Sequence, residues 1–251
     1  MRRPNSPYGS SMSFGPGPLP QGIRALVIAN VALFVAQTVA GFSGWDLTDT
    51  LGLQPDSVVR SLQVWRLATY AFLHTGAFHI LFNMLALWMF GTELEHRWGT
   101  PDFLKFYFVT GIGAGVLTVL FSLLPLAFTA PLYTSTIVGA SGAIYGVLLA
   151  YGLAFPDRPI YMYLVFPIPA KYFVMIMGLL AFYASIAERS GIANATHLGG
   201  LLVAYLYLKG GRVHPIAELK YRYTKWKIMR MRSKFDVYTG GRSDDWNRRV
   251  H

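Results

Sequence analysis

Two residues in this chain have the types needed for nucleophilic acyl transfer. Ser141 lies in Gly139-Ala140-Ser141-Gly142, and His197 lies in Ala193-Asn194-Ala195-Thr196-His197-Leu198-Gly199-Gly200. A serine hydroxyl attacks a carbonyl only when a positioned base takes its proton, and imidazole is the common base. Both residues sit in apolar surroundings, where a polar or ionisable side chain is costly and therefore a functional hypothesis. The acids Asp46, Asp49 and Asp56 precede the second apolar stretch, and Glu93 and Glu95 lie near its far end. With no carboxylate close to Ser141 or His197, the residues point to a Ser-His dyad rather than a triad. Tyr145, one turn after Ser141 on the same helical face, is placed to pack on the imidazole and hold its orientation. His79 and Asn83, also a turn apart, can supply donors to a developing oxyanion. Gly139 and Gly142 leave the backbone N–H groups around Ser141 unobstructed, next to the positive end of a helix.

Each part alone is weak. A serine in a glycine-rich apolar stretch is usually there for packing, and Ala143 stands where the nucleophile elbow of soluble hydrolases has its second glycine. His74, His79 and His197 form no His-Glu-x-x-His pattern and have no nearby carboxylate, so neither a metal nor a cofactor is expected. Absence of cysteine excludes thiolate catalysis and disulfides. What outweighs the bland readings is that the four polar residues fall at one depth, which depends on the elements that carry them.

Those elements are hydrophobic helices. Of 251 residues, 53% are hydrophobic and 14% charged, against roughly a quarter charged in soluble domains; mean hydropathy is +0.39. A helix needs about 20 apolar residues to cross a bilayer. Six stretches qualify: 23–42, 78–97, 103–124, 136–155, 171–187 and 193–209. The apolar segment 160–166 is short and followed by Pro167 and Pro169, so it reads as an interfacial loop. With the N-terminus inside, Arg60, Arg66 and Arg189 are the only basic residues outside, and the other Lys and Arg lie on the inner side. That asymmetry puts both termini in the cytoplasm. Spans two, four and six then enter from the outer face. Ser141, His197, His79 and Asn83 all fall roughly 6–10 Å below it, at 1.5 Å per helical residue. Small residues four apart (Gly142 and Gly146, Ala195 and Gly199, Gly200 and Ala204) let spans four and six approach closely.

The ends differ from this core. Residues 1–22 are rich in Pro, Gly and Ser and read as a disordered cytoplasmic segment without a cleavable signal peptide. The tail 210–251 is basic with interleaved aromatics, as in Lys220-Tyr221-Arg222-Tyr223. Beside a last span on the cytoplasmic side, this composition favours anionic lipid over nucleic acid as the partner.

Taken together, these residues resemble the rhomboid family of intramembrane serine proteases over most of 23–209. The carrying residues are Trp65-Arg66, His79-x-x-x-Asn83, Glu95 with Arg97 and Gly99, Gly139-Ala140-Ser141-Gly142 with Tyr145, and His197-Leu198-Gly199-Gly200. The resemblance implies an all-α, six-span bundle of the simple bacterial form, in a bacterial inner membrane. It implies Ser141 as nucleophile, His197 as general base, and an oxyanion hole of His79, Asn83 and the Ser141 N–H. The implied substrates are transmembrane helices of other proteins, cut near the outer face. Trp65-Arg66 would mark a loop lying partly in the membrane, and span five with the loop Glu188–Thr196 would form a lateral gate and cap. Ala204 stands where the family often has a second glycine. A non-proteolytic rhomboid-like protein that binds client helices is the alternative, though such relatives typically lack the serine or the histidine. A channel or transporter would want an intramembrane acid or a repeated broken helix, and neither is visible.

Overall fold

A computed structural model describes residues 17–126, 129–162, 166–187 and 192–210. The chain divides into a unit Met1–Leu208 and a second, Lys209–His251, and the architecture below is that of the first. The expectations for the N-terminal segment before residue 17, for 188–191 and for the tail beyond residue 210 lie outside the described residues.

Helix α1 (Gln21–Phe42) starts after Pro20, which offers no side-chain cap. Its first N–H groups go instead to a distant carboxylate: Gly22 and Ile23 donate to Glu95 Oε1 and Oε2 at 2.7 and 2.8 Å. Glu95 lies near the end of α5 (Ala77–Trp98), which stops at Gly99, where φ is +83°. Pro101, near the start of α6 (Thr100–Ser122), is pre-set for a first helical turn, so the two helices reverse within one residue. Thr100 Oγ1 donates to Glu95 Oε1 at 2.6 Å, tying all three helix ends into one knot.

Between α1 and α5 the chain is more ordered than a loop. It forms α2 (Thr48–Leu51), α3 (Pro55–Arg60), α4 (Arg66–Thr69) and a 3-10 turn, Tyr70–Phe72. Leu53, Val58, Tyr70, Ala71, Val119, Leu132 and Ile137 build a small core of their own beneath it. Arg66 anchors the segment by donating to the carbonyls of Gly52 and Asp49 and to Gln63 Oε1, and the Trp65 indole donates to the Thr50 carbonyl.

After α7 (Ala130–Thr134) comes α8 (Ser141–Ala154), which packs against α5, α6 and α9 (Ala170–Ala187). Nine of its fourteen residues are buried, and the main core gathers around it through Leu87, Leu94, Phe103, Phe106, Val147 and Tyr151. α10 (Ile192–Gly210) completes the set. Among the described residues three helices, α1, α5 and α6, are long and apolar enough to cross a membrane. α8 is shorter, and the predicted span 136–155 is corrected at its start. Residues 136–140 are not helical: Leu53 and Ile137 exchange both backbone hydrogen bonds, at 2.9 and 2.8 Å. Thr136-Ile137-Val138 is apolar enough to read as a span, but β-branched residues suit extended backbone.

The described fold is mostly helical, as expected, and the segment expected as an interfacial loop, 160–166, has its described residues in a short strand pair. β1 (Pro159–Met162) and β2 (Phe166–Pro169) pair antiparallel, with Ile160 opposite Ile168 and Tyr161 opposite Pro167. In a two-stranded pair every strand is an edge, so prolines without an N–H are tolerated. Arg158, just before the pair, forms an ion pair with Glu93 on α5, and its guanidinium lies over the Phe155 ring at 5.1 Å.

Candidate active site

Because α8 begins at Ser141 rather than before it, Ser141 is a helix N-terminal residue instead of one some five residues inside. The first intrahelical bond runs from Ile144 N to Ala140 O at 3.1 Å. The N–H groups of Ser141, Gly142 and Ala143 thus have no intrahelical acceptor, and the helix dipole points its positive end there. Gly139 makes this turn possible. Its φ is +126°, and a Cβ placed on it would stand 2.8 Å from His79 Nε2 and 3.6 Å from Ser141 Oγ. Its N–H donates to the Tyr70 carbonyl at 2.9 Å, which fixes the turn to the segment preceding α5.

His197 comes from the second turn of α10. Residues 192–196, part of the expected cap loop, are already helical. His197 Nε2 and Ser141 Oγ are 2.8 Å apart. The Tyr145 ring stacks on the imidazole with centroids 4.3 Å apart and planes 7° from parallel. Among the described residues His197 Nδ1 has no hydrogen-bond partner, so no acid stands behind the histidine there.

Close helix approach brings the pair together. A Cβ on Gly200 would lie 1.9 Å from the Gly142 carbonyl oxygen, so the backbones of α8 and α10 touch at this point. Gly146 and Gly199 do different work from that expected: Gly146 packs on Thr110, and Gly199 on the Ala114 backbone, both of α6. Thr196, 2% exposed, shares a hydrogen bond with Thr118 of α6 at 2.9 Å, holding the turn that carries His197.

His79 and Asn83 sit in the first two turns of α5, with His79 Nε2 directed at Gly139. Asn83 is buried, and among the described residues its amide Nδ2 has no partner. A buried donor left unsatisfied in a native fold needs an explanation, and an oxyanion on the neighbouring serine would supply one. His74, before α5, is 1% exposed. Its ring meets His79 edge-on, with centroids 4.9 Å apart. Burial, then the nearby His79, pushes its pKa from 6.5 down to about 4.

The remaining motif residues lie elsewhere. Trp65 and Arg66 brace the segment between α1 and α5, and Glu95 ties the far helix ends. Arg97 is exposed there, over the Phe155 ring at 5.6 Å. Sequence reasoning missed Tyr70, whose hydroxyl donates to the Gly111 carbonyl at 2.7 Å, and Thr75, which contacts His79 Nδ1. Thr75 carried one faint signal, a hydroxyl residue four positions before a histidine.

The Rhomboid domain family model matches residues 61–211. The chain is 32% identical over 171 residues to Rhomboid protease GluP of Bacillus subtilis, covering 67% of this chain and 30% of that protein. It is 34% identical over 158 residues to Rhomboid protein 1, mitochondrial, of Saccharomyces cerevisiae, covering 62% and 43%. It is 30% identical over 197 residues to Rhomboid protease GlpG of Yersinia pestis, covering 76% and 61%. The chain thus spans from under a third to about three fifths of these curated relatives' own lengths. With the motif residues, the apolar helices and the family match in agreement, this chain is an integral membrane protein that belongs to the rhomboid family.

Proposed function

We propose that this protein is an intramembrane serine endopeptidase that cuts transmembrane segments of other membrane proteins near the outer face, using Ser141 and His197. The observation that carries the reading is the 2.8 Å contact between Ser141 Oγ and His197 Nε2, at a helix N-terminus beside the Asn83 amide, whose Nδ2 has no partner among the described residues. In this reading His197 Nε2 takes the hydroxyl proton as Oγ attacks the scissile carbonyl. The carbonyl oxygen gains the negative charge and is met by the Ser141 N–H, the Asn83 amide and His79 Nε2–H. His197 then gives its proton to the leaving amine, and the new amino terminus departs. Water, deprotonated by His197, hydrolyses the serine ester and restores the hydroxyl. Tyr145 keeps the ring in plane through both transfers, a task that an acid performs in a triad.

The chemistry needs water, and the site's place near the helix ends supports access from the outer side without a pore. Six spans with both termini cytoplasmic, and a bacterial inner membrane, complete the proposal; the charge asymmetry supports this topology. The basic tail would rest on anionic lipid. No metal or cofactor has a role in the steps above.

The test is reconstitution in liposomes with a panel of single-span proteins and mass-spectrometric mapping of products. We expect cuts close to the outer boundary of the substrate helix, abolished by Ser141→Ala and by His197→Ala. Cleavage that persists in purified Ser141→Ala protein overturns the reading.

A further inference from the structure

We propose that Thr75 is a positioning residue that locks His79 with its proton on Nε2, and that Gln37 of α1 holds Thr75 in place. This rests on the proteolytic reading above and assigns a partner to its oxyanion donor.

The Thr75 backbone N–H reaches His79 Nδ1 at 3.4 Å, and Thr75 Oγ1 lies 3.1 Å from the same nitrogen. A backbone N–H can only donate, so the nitrogen facing it must accept. Neutral imidazole carries one proton, which is then left on Nε2. Nε2 is the atom turned toward Gly139, on the side of Ser141 Oγ. The opposite tautomer would aim a lone pair at the forming oxyanion.

The support behind Thr75 comes from outside the matched family region. Gln37 Nε2 donates to the His74 carbonyl at 3.0 Å, and Gln37 Oε1 accepts from the His74 N–H at 3.2 Å. One side-chain amide satisfies both backbone groups of the residue next to Thr75, much as a strand neighbour would. His74 itself does not compete for His79 Nδ1, because neither of its ring nitrogens makes a hydrogen bond among the described residues. A cavity of about 580 Å³, lined in part by Gln37, Asp46, His74 and Thr75, lies beside this relay. Removing the hydroxyl there leaves room for solvent, which donates and accepts without preference.

The experiment measures ¹⁵N shifts of histidine-labelled Ser141→Ala protein in lipid, with His79 assigned through His79→Gln. That measurement needs no activity, so it can fail independently of the protease reading. We expect His79 to hold its proton on Nε2 alone. Thr75→Val should shift the Nδ1 resonance and broaden the pair, Thr75→Ser should restore it, and Gln37→Met should mimic Thr75→Val in part. In active protein, Thr75→Val should lower kcat about tenfold with KM within about twofold, and Thr75→Ser should recover most of the loss. Thr75→Asp, which offers an acceptor to Nδ1, should cost more than about 100-fold, since a catalytic histidine in the wrong tautomer loses up to ~10⁴. A proton on His79 Nδ1 in the parent protein overturns the proposal, as does Thr75→Val that alters neither shifts nor kcat. If Thr75→Val fails to fold, the parent spectrum and Gln37→Met still decide.

Discussion

Helix α5 carries a polar cluster at each end, and the two are built on opposite principles. At its C-terminal end the Glu95 carboxylate, 2% exposed, accepts from two backbone N–H groups and a threonine hydroxyl. Its donors would otherwise be orphans at the starts of α1 and α6. At its N-terminal end, some 18 Å away by helical rise, Asn83 Nδ2 and His197 Nδ1 have no partner among the described residues. Among the same residues Ser141 Oγ has only the histidine. A saturated cluster holds helices together, whereas an unsaturated one reserves hydrogen-bonding capacity for something not yet there. The difference separates a structural acid from the residues proposed to do chemistry, although both lie in apolar surroundings.

Breaking each cluster should therefore move different observables. The largest effect belongs to the proposed nucleophile and base: Ser141→Ala or His197→Gln should lower cleavage by about 10³–10⁴-fold or more. The melting temperature in detergent should stay within about 2 °C. Next comes Glu95→Ala, which strands three donors. At about 1–3 kcal/mol for a lost charged hydrogen bond, it should cost roughly 3 kcal/mol of stability, and Glu95→Gln about half. Denaturant titration in mixed micelles reads this directly, and a stable Glu95→Ala protein would erase the contrast. Asn83→Ala should do the reverse, cutting kcat about 10²-fold while leaving stability unchanged or slightly improved, because no partner is abandoned.

The smallest effect is in pH. The unfolded chain protonates His74 below about 6.5, whereas the folded protein holds it neutral down to about 4. The folded state binds fewer protons across that window, so stability falls as pH drops through it. Melting curves between pH 7 and 4.5 should show the decline, and His74→Phe should flatten part of it.

How much of this could be read in the chain depends on the range of the interaction. The helices of α1, α5 and α6 were legible because long apolar runs end in charge, Gly or Pro. Tyr145 was legible against His197 because four-residue spacing sets one helical face. The start of α8 was not, since hydropathy does not distinguish an extended Thr136-Ile137-Val138 from a helical one. It takes Leu53, far back in the chain, to make the bridge that ends the helix at Ser141. The short helices around Trp65 and the Pro159–Pro169 pair were missed for the same reason: their apolar residues pack against distant partners without a local period. Gly146 was expected to face α10 and faces α6, because small-residue spacing shows that a helix comes close but not which one. Gln37 and Tyr70 bond to backbone groups, which leave no trace in side-chain pattern, and Thr75 shows only as a hydroxyl residue four positions before a histidine.

The central claim, that Ser141 is activated by His197, is tested most directly by reaction with a fluorophosphonate followed by peptide mass mapping. The account predicts one adduct, on Ser141, formed by the folded wild-type protein and slowed by at least about 100-fold in His197→Gln with no change in melting temperature. An adduct that forms on Ser141 equally fast without His197, or one that forms only on another residue, would contradict it.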